Sequence, residues 1–208
     1  MSLGLIIEGI PLTGKTSLLT GLQKHSLFLN YAAVSKLIYS EDLTQRILEK
    51  DYNRGFLDKS ANINLLMSIT THLQTQKEML QWRGFSNHLL FILERFHLTH
   101  AAYYPYLTWP DVEPIDQILK CLNTKLILLT VDRQTFKTRL LERSNTGFMS
   151  YIQRYGSNKD MILDHYMQSQ DHYLNLAYKS SLETKIIDSV AYPVVKVLEN
   201  ALDFWLKP

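Results

Sequence analysis

The residues best suited to chemistry in this sequence are Gly9-Ile-Pro-Leu-Thr-Gly14-Lys15-Thr16. Their G-x-x-x-x-G-K-[ST] spacing wraps backbone N–H groups around phosphate. Gly9 and Gly14 permit a path that turns those donors inward. A helix opening near Lys15 adds the positive end of its dipole. In that arrangement Lys15 reaches the β and γ phosphates of ATP, and the Thr16 hydroxyl ligates the accompanying Mg²⁺. The nucleotide-binding stretch is therefore Gly9, Ile10, Pro11, Leu12, Thr13, Gly14, Lys15, Thr16 and Ser17. An ordinary strand-to-helix turn with a surface lysine is the plain alternative, but the motif has both the preceding strand and the following helix.

A second candidate centre is Leu89-Leu-Phe-Ile-Leu-Glu94-Arg95-Phe96. An acid at the carboxyl end of a strand beside a phosphate loop can hold Mg²⁺ or take a proton from an attacking hydroxyl. Arg95 can clamp a phosphate or neutralise charge on the transferred group. A structural Glu–Arg pair is the competing reading. Between Arg133 and Lys159 lie Arg133, Lys137, Arg139, Arg143, Arg154 and Lys159 against one acid, Glu142. Arg139 and Arg143 are four apart and share a helix face, which suits a catalytic lid over a triphosphate as well as a solvated basic surface. On the acceptor side the candidates are Phe96, Tyr103, Tyr104 and His72, near Tyr106 and Trp109; rings of this kind stack on a planar substrate or fill a core. His97 and His100 lack a third ligand and make a poor metal site.

These residues need elements to position them. Leu3–Glu8 reads as a buried strand and Lys15–His25 as a helix. Phe28–Val34 is the expected second strand. Glu41–Lys50 and Ala61–Trp82 read as helices, and Asn87–Leu93 as the middle strand. Helix Val112–Leu122, strand Lys125–Val131 and helix Arg133–Arg143 follow. The chain closes with helix Asp160–Tyr178, strand Thr184–Asp188 and helix Pro193–Leu206. The alternation predicts an α/β fold, five parallel strands covered on both faces, with ligands beyond their carboxyl ends. The spatial order of the strands does not follow from the pattern.

The 208 residues are 46% hydrophobic and 20% charged, with a net charge of +2, which suits one domain over 1–208 and offers no general case for a nucleic acid polymer. Leu89–Leu93 is the longest apolar run, too short to span a bilayer, so no membrane association is expected. A single cysteine, Cys121, excludes internal disulfides and Cys-rich metal sites. The start of the chain has no basic region before its apolar run, so a cytoplasmic location is expected. The D-x-x-G spacing of a GTPase switch is absent, since no glycine has an aspartate three residues before it.

The chain resembles the thymidylate kinase and deoxynucleoside kinase branch of P-loop nucleotide kinases over most of its length. The resemblance rests on Ile7-Glu8-Gly9 through Thr16, on Glu94-Arg95-Phe96 with Thr99-His-Ala-Ala-Tyr103-Tyr104, and on Arg139 and Arg143. Gln168-Ser-Gln170-Asp-His-Tyr173 and Lys185-Ile-Ile-Asp188 are similar as well. It implies a P-loop NTPase three-layer fold with sheet order 2-3-1-4-5 and a mobile helical lid, here about 139–160. It also implies ATP- and Mg²⁺-dependent phosphoryl transfer to a nucleoside, nucleotide or related small molecule. Lys15, Glu94, Arg95, Arg139 and Arg143 would be the catalytic set, with Thr16 and Glu94 at the metal. A homodimer is compatible with the resemblance. Three features depart from the branch. Ile10–Thr13 lacks the acid that thymidylate kinases place in this loop. Ile69-Thr-Thr-His72-Leu-Gln74 lacks their base-holding arginine. Ala32–Lys36 lacks the glutamate that deoxynucleoside kinases carry soon after the second strand. The alternative is a nucleotide-binding regulatory or assembly module with little or no kinase activity.

Overall fold

Five strands form one all-parallel sheet in the order β2-β3-β1-β4-β5. The computed structural model describes residues 2–48, 58–85, 89–143, 148, 151–190 and 193–206. β1 (Ser2–Glu8) and β3 (Leu89–Glu94) are the interior strands closest to the candidate site, and β3 is buried along its whole length. β4 (Thr124–Thr130) flanks β1 on the other side, while β2 (Ser35–Tyr39) and β5 (Glu183–Asp188) are the half-covered edges. Chain order and spatial order part company around β1. Such a switch point opens a crevice beyond the strand ends.

Alternating side chains send the two faces of the sheet into two cores. Leu5, Ile7, Leu90, Ile92, Ile127 and Leu129 meet α1 (Lys15–Lys24) and α8 (Val194–Leu206). Ile6, Phe91, Leu93, Leu126 and Leu128 meet α3 (Lys59–Trp82), α4 (His97–Tyr103), α5 (Trp109–Cys121) and α7 (Lys159–Lys179). The result is helix, sheet, helix. Two further helices are α2 (Ser26–Leu29) and α6 (Arg133–Glu142). Among the described residues, no helix is long and apolar enough to cross a membrane.

One element differs from the sequence expectation. Phe28–Val34 is not the second strand: its start belongs to α2, and the strand lies at Ser35–Tyr39. His25 Nδ1 accepts the Leu27 N–H at the start of α2, and Lys36 Nζ donates to the Phe28 and Leu29 carbonyls at its end, both at 2.7 Å. Phe28 stacks on buried Trp205 with ring centroids 6.0 Å apart. Capping and one aromatic contact thus turn an apolar run into a helical turn and move the strand downstream. The expected helix Glu41–Lys50 is helical from 41 to 48, with a widened π turn at Asp42–Arg46; its last two residues lie outside the described set. Asn87, the expected start of β3, also lies outside it.

Candidate active site

The loop between β1 and α1 is built around two glycines that no other residue would replace. Gly9 has φ 139°, and a Cβ there would stand 2.4 Å from the Leu129 carbonyl oxygen. Gly14, with φ 92°, starts α1 in the left-handed region. Thr13 Oγ1 donates to the Ile10 carbonyl at 2.9 Å and pins the loop. Lys15 is buried and donates from Nζ to the Gly9 and Ile10 carbonyls, both at 2.7 Å. Burial, and then Arg95, pull its ammonium well below the ordinary lysine range. An anion at the loop would relieve both, which is the electrostatic preparation of a phosphate site.

Three charged side chains meet beyond the ends of β2 and β3. Glu94 is buried, and its Oε1 accepts from the Thr16 hydroxyl at 3.3 Å. Its Oε2 accepts the Glu41 backbone N–H at 3.3 Å. The Glu41 carboxylate lies between two guanidiniums, 2.9 Å from Arg95 Nε and 3.0 Å from Arg46 Nε. Burial pushes the Glu41 carboxyl up, but Arg95 and Arg46 outweigh it and hold it below the usual glutamate range. Arg95 has φ 52°, rare for a side chain of this size, with its N–H bound to the Ile7 carbonyl at 3.1 Å. Strain of this kind costs ~1–3 kcal/mol and persists where the surroundings over-determine it. Thr44 secures the π turn by donating to the Glu94 carbonyl.

Thr16, Glu41, Arg46 and Arg95 line a cavity of about 1210 Å³ that runs from the phosphate loop to a wall of tyrosines. It exceeds the ~300–1,000 Å³ of a single small-ligand pocket, leaving room for two bound molecules. Arg139 crosses the loop, donating to the Leu12 carbonyl at 2.8 Å and to Ser189 Oγ at 3.1 Å. Arg143 lies over the Phe148 ring at 4.6 Å. Arg154 lies over Tyr151 at 3.7 Å and hydrogen-bonds the Tyr103 hydroxyl. Tyr151 Oη donates to Tyr103 Oη at 3.2 Å. Burial raises the Tyr103 and Tyr151 phenols, the latter to about 12, so both stay protonated donors.

No family model matches the sequence, and no curated protein is significantly similar to it. Solved structures are similar over nearly the whole chain. The YorR protein of Bacillus subtilis, in complex with phosphorylated GDP, covers 97% of this chain and 94% of its own at 15% identity, with a TM-score of 0.61. A thymidylate kinase from Ehrlichia chaffeensis covers 96% and 97% at 16% identity, with a TM-score of 0.49. The first likeness, the sheet order and the glycine loop beside β1 agree. The chain has a three-layer P-loop fold.

Within this P-loop fold the sequence-derived candidates divide. Ile10 to Ser17, Arg95, Tyr103, Tyr104, Arg139 and Arg143 all line the cavity. Gly9 shapes it from behind through its carbonyl bond to Lys15. Thr16 and Glu94 are in contact through the threonine hydroxyl. Two candidates lie elsewhere. Phe96 is wholly buried among core residues, because it follows the strained Arg95 and turns back under α4. His72 is exposed on α3, since Ile69 and Leu73 occupy the face that packs inward. Tyr106 and Trp109 also serve packing: the Tyr106 hydroxyl accepts from Asn62 at 2.8 Å, and Trp109 leans on the core.

The P-loop fold also uses residues that sequence reasoning passed over. Glu41 went unnoticed because the second strand was expected too early; the acid missing from Ala32–Lys36 stands two residues after Tyr39. A signal existed, since Leu37-Ile-Tyr39-Ser-Glu41 ends an apolar run on an acid much as Ile92-Leu93-Glu94 does. Gln45, Tyr151, Tyr155 and Tyr166 line the cavity from distant segments and left no local pattern. His97 belongs to a closed cluster: its Nε2 pairs with buried Asp116 at 3.0 Å, and Asp116 also accepts from Ser180 and Ser181. His100 is likewise buried, 2.7 Å from the Thr44 carbonyl, and burial lowers it to about 4.

Proposed function

We propose that this protein is an ATP-dependent phosphotransferase acting on a nucleoside, nucleotide or related small molecule. The observation that carries the reading is the meeting of Lys15, Thr16, Glu94, Glu41 and Arg95 around one cavity large enough for donor and acceptor. Gly9 to Ser17 would seat the phosphates of ATP. Thr16 and Glu94 present hard oxygen ligands side by side, which fits a Mg²⁺ that arrives with nucleotide and keeps most ligands from water and phosphate. Among the described residues, no group of three metal-ligating side chains exists that would hold such an ion by itself. When bound, Mg²⁺ neutralises charge on the phosphates.

The contacts divide labour between the two acids. Glu94 is turned toward Thr16 and fixed by the Glu41 N–H, which suits metal positioning. The Glu41 carboxylate opens on the cavity beside Arg95 and suits the acceptor. The acceptor oxygen forms a bond to the γ phosphorus while the bond to the β-phosphate bridging oxygen breaks and ADP leaves. The hydroxyl proton passes to Glu41, and Arg95 steadies the charge that develops. Transfer of this kind needs positioning more than covalent chemistry. Arg139, Arg143 and Arg154 would form the basic segment over the phosphates. The binding-module alternative draws on the acids missing after the second strand and in the phosphate loop; Glu41 answers the first, while Ile10–Thr13 carries no acid. Of the neighbours, YorR is described with phosphorylated GDP, which accords with a nucleotide at this fold's site. Incubation with Mg–ATP and a panel of nucleosides, nucleotides and small alcohols, read by ADP release and acceptor mass, tests the reading. Acceptor-dependent ADP supports it; nucleotide affinity without turnover on any acceptor overturns it.

A further inference from the structure

Gln45 is 2% exposed, yet it belongs to the cavity wall. Among the described residues its side-chain amide has no hydrogen-bond partner, although its neighbours Thr44 and Arg46 are both engaged. A second polar group on the same wall is sealed from solvent as well: the Tyr166 hydroxyl is buried and has no hydrogen-bond partner. An unsatisfied buried polar group is costly unless a ligand completes it. The rings of Tyr103, Tyr104, Tyr151 and Tyr155 line the same cavity, Tyr155 against Tyr166. The π turn at Asp42–Arg46 holds Gln45 in place, with Thr44 bound to the Glu94 carbonyl on one side and Arg46 to Glu41 on the other.

We propose that Gln45 selects the phosphoryl acceptor by pairing its amide with an adjacent donor and acceptor on the edge of a planar heterocycle. The inference rests on the kinase reading for the acceptor's reaction, but not for its binding. A primary amide offers one acceptor oxygen and two donors side by side, the complement of a nucleobase edge. Tyrosine faces accept such a ring, and the Tyr166 hydroxyl supplies a further polar contact. The reader of the ring and the acid that meets the acceptor hydroxyl stand four residues apart, Glu41 at the start of the π turn and Gln45 within it. One rigid turn therefore sets the distance from ring edge to reacting oxygen.

The test compares the parent with Gln45→Met, which keeps the length and removes the amide, and with Gln45→Glu, which leaves acceptors only. The probes are guanosine, adenosine, cytidine, uridine and thymidine, their 5′-monophosphates, and glycerol as the ringless control. Binding is read by calorimetry without ATP, and turnover by ADP release. Loss of a bidentate pair predicts a fall in ring-acceptor affinity of about 5- to 150-fold in Gln45→Met. ATP affinity should stay unchanged, and melting temperature unchanged or higher. Gln45→Glu should shift preference toward guanosine and its monophosphate, whose edge presents adjacent N–H donors. Equal affinities for every ring probe in parent and Gln45→Met would overturn the assignment. So would a parent that binds no ring probe, or a Gln45→Met protein that melts much lower, the mark of a structural amide. Ring binding that depends on Gln45 but yields no ADP would uphold the assignment and remove the kinase reading instead.

Discussion

Two buried charge clusters start from neighbouring residues at the end of β3 and end in opposite conditions. Glu94 and Arg95 face Glu41, Thr16 and Lys15, and most of that cluster lines the cavity. His97, two residues on, meets Asp116 in a cluster with Ser180 and Ser181, and none of these four lines that cavity. In the first cluster, Arg95 is strained and Lys15 is bound only by loop oxygens. In the second, one carboxylate gathers a histidine, two hydroxyls and a backbone N–H. A buried carboxylate with both oxygens bonded, as in Asp116, holds elements together, whereas a charge held open to a cavity is poised for a ligand.

Substitutions should separate the two clusters. The largest effect is expected from Glu41→Gln, which keeps shape and removes charge. Acceptor phosphorylation should fall by roughly 10²–10⁴, with ATP affinity near normal, in steady-state assays and titration on one preparation. Retention of full turnover would take Glu41 out of the reaction. Asp116→Ala should do the reverse. It strands His97 in the core, at ~3–5 kcal/mol of stability by urea unfolding, while the nucleotide affinity of the folded fraction stays unchanged.

The sealed cluster also has a pH signature. Burial opposes the Asp116 charge, but His97, Ser180 and Ser181 outweigh it and lower its carboxyl from 3.8 to about 2. Its contribution to stability is fully present above pH 3.8 and is lost as pH falls toward 2. Unfolding midpoints measured across that window should drop more in the parent than in Asp116→Asn. A smaller loss is expected from Lys15→Ala, which removes a charge-assisted phosphate contact worth ~1.5–3 kcal/mol. Mg–ATP affinity should fall about tenfold or more, by calorimetry. The smallest is His72→Ala, exposed on α3. Stability should change by less than ~0.5 kcal/mol and acceptor KM not at all, which checks that the cavity ends where the structure draws it.

The phosphate loop was legible because its function rests on spacing within eight residues and on glycines that only one backbone path explains. Glu94 and Arg95 were legible for a related reason, standing where an apolar run stops. The acceptor side was not, and β2 shows why. Whether Phe28 begins a strand or sits in a helical turn depends on Trp205, some 177 residues away, and on a lysine in the strand itself. That one displacement hid Glu41. Likewise Gln45, Tyr103, Tyr151 and Tyr166 come from separate elements, and each alone is an ordinary buried or half-buried residue. Periodicity and local spacing therefore determine the α/β class, the phosphate loop and the strand-end acid, because those depend on neighbours along the chain. The strand order, the pairing of Glu41 with Arg95 and the polar groups left open on the tyrosine wall are decided only by tertiary packing, which brings distant segments within hydrogen-bonding reach.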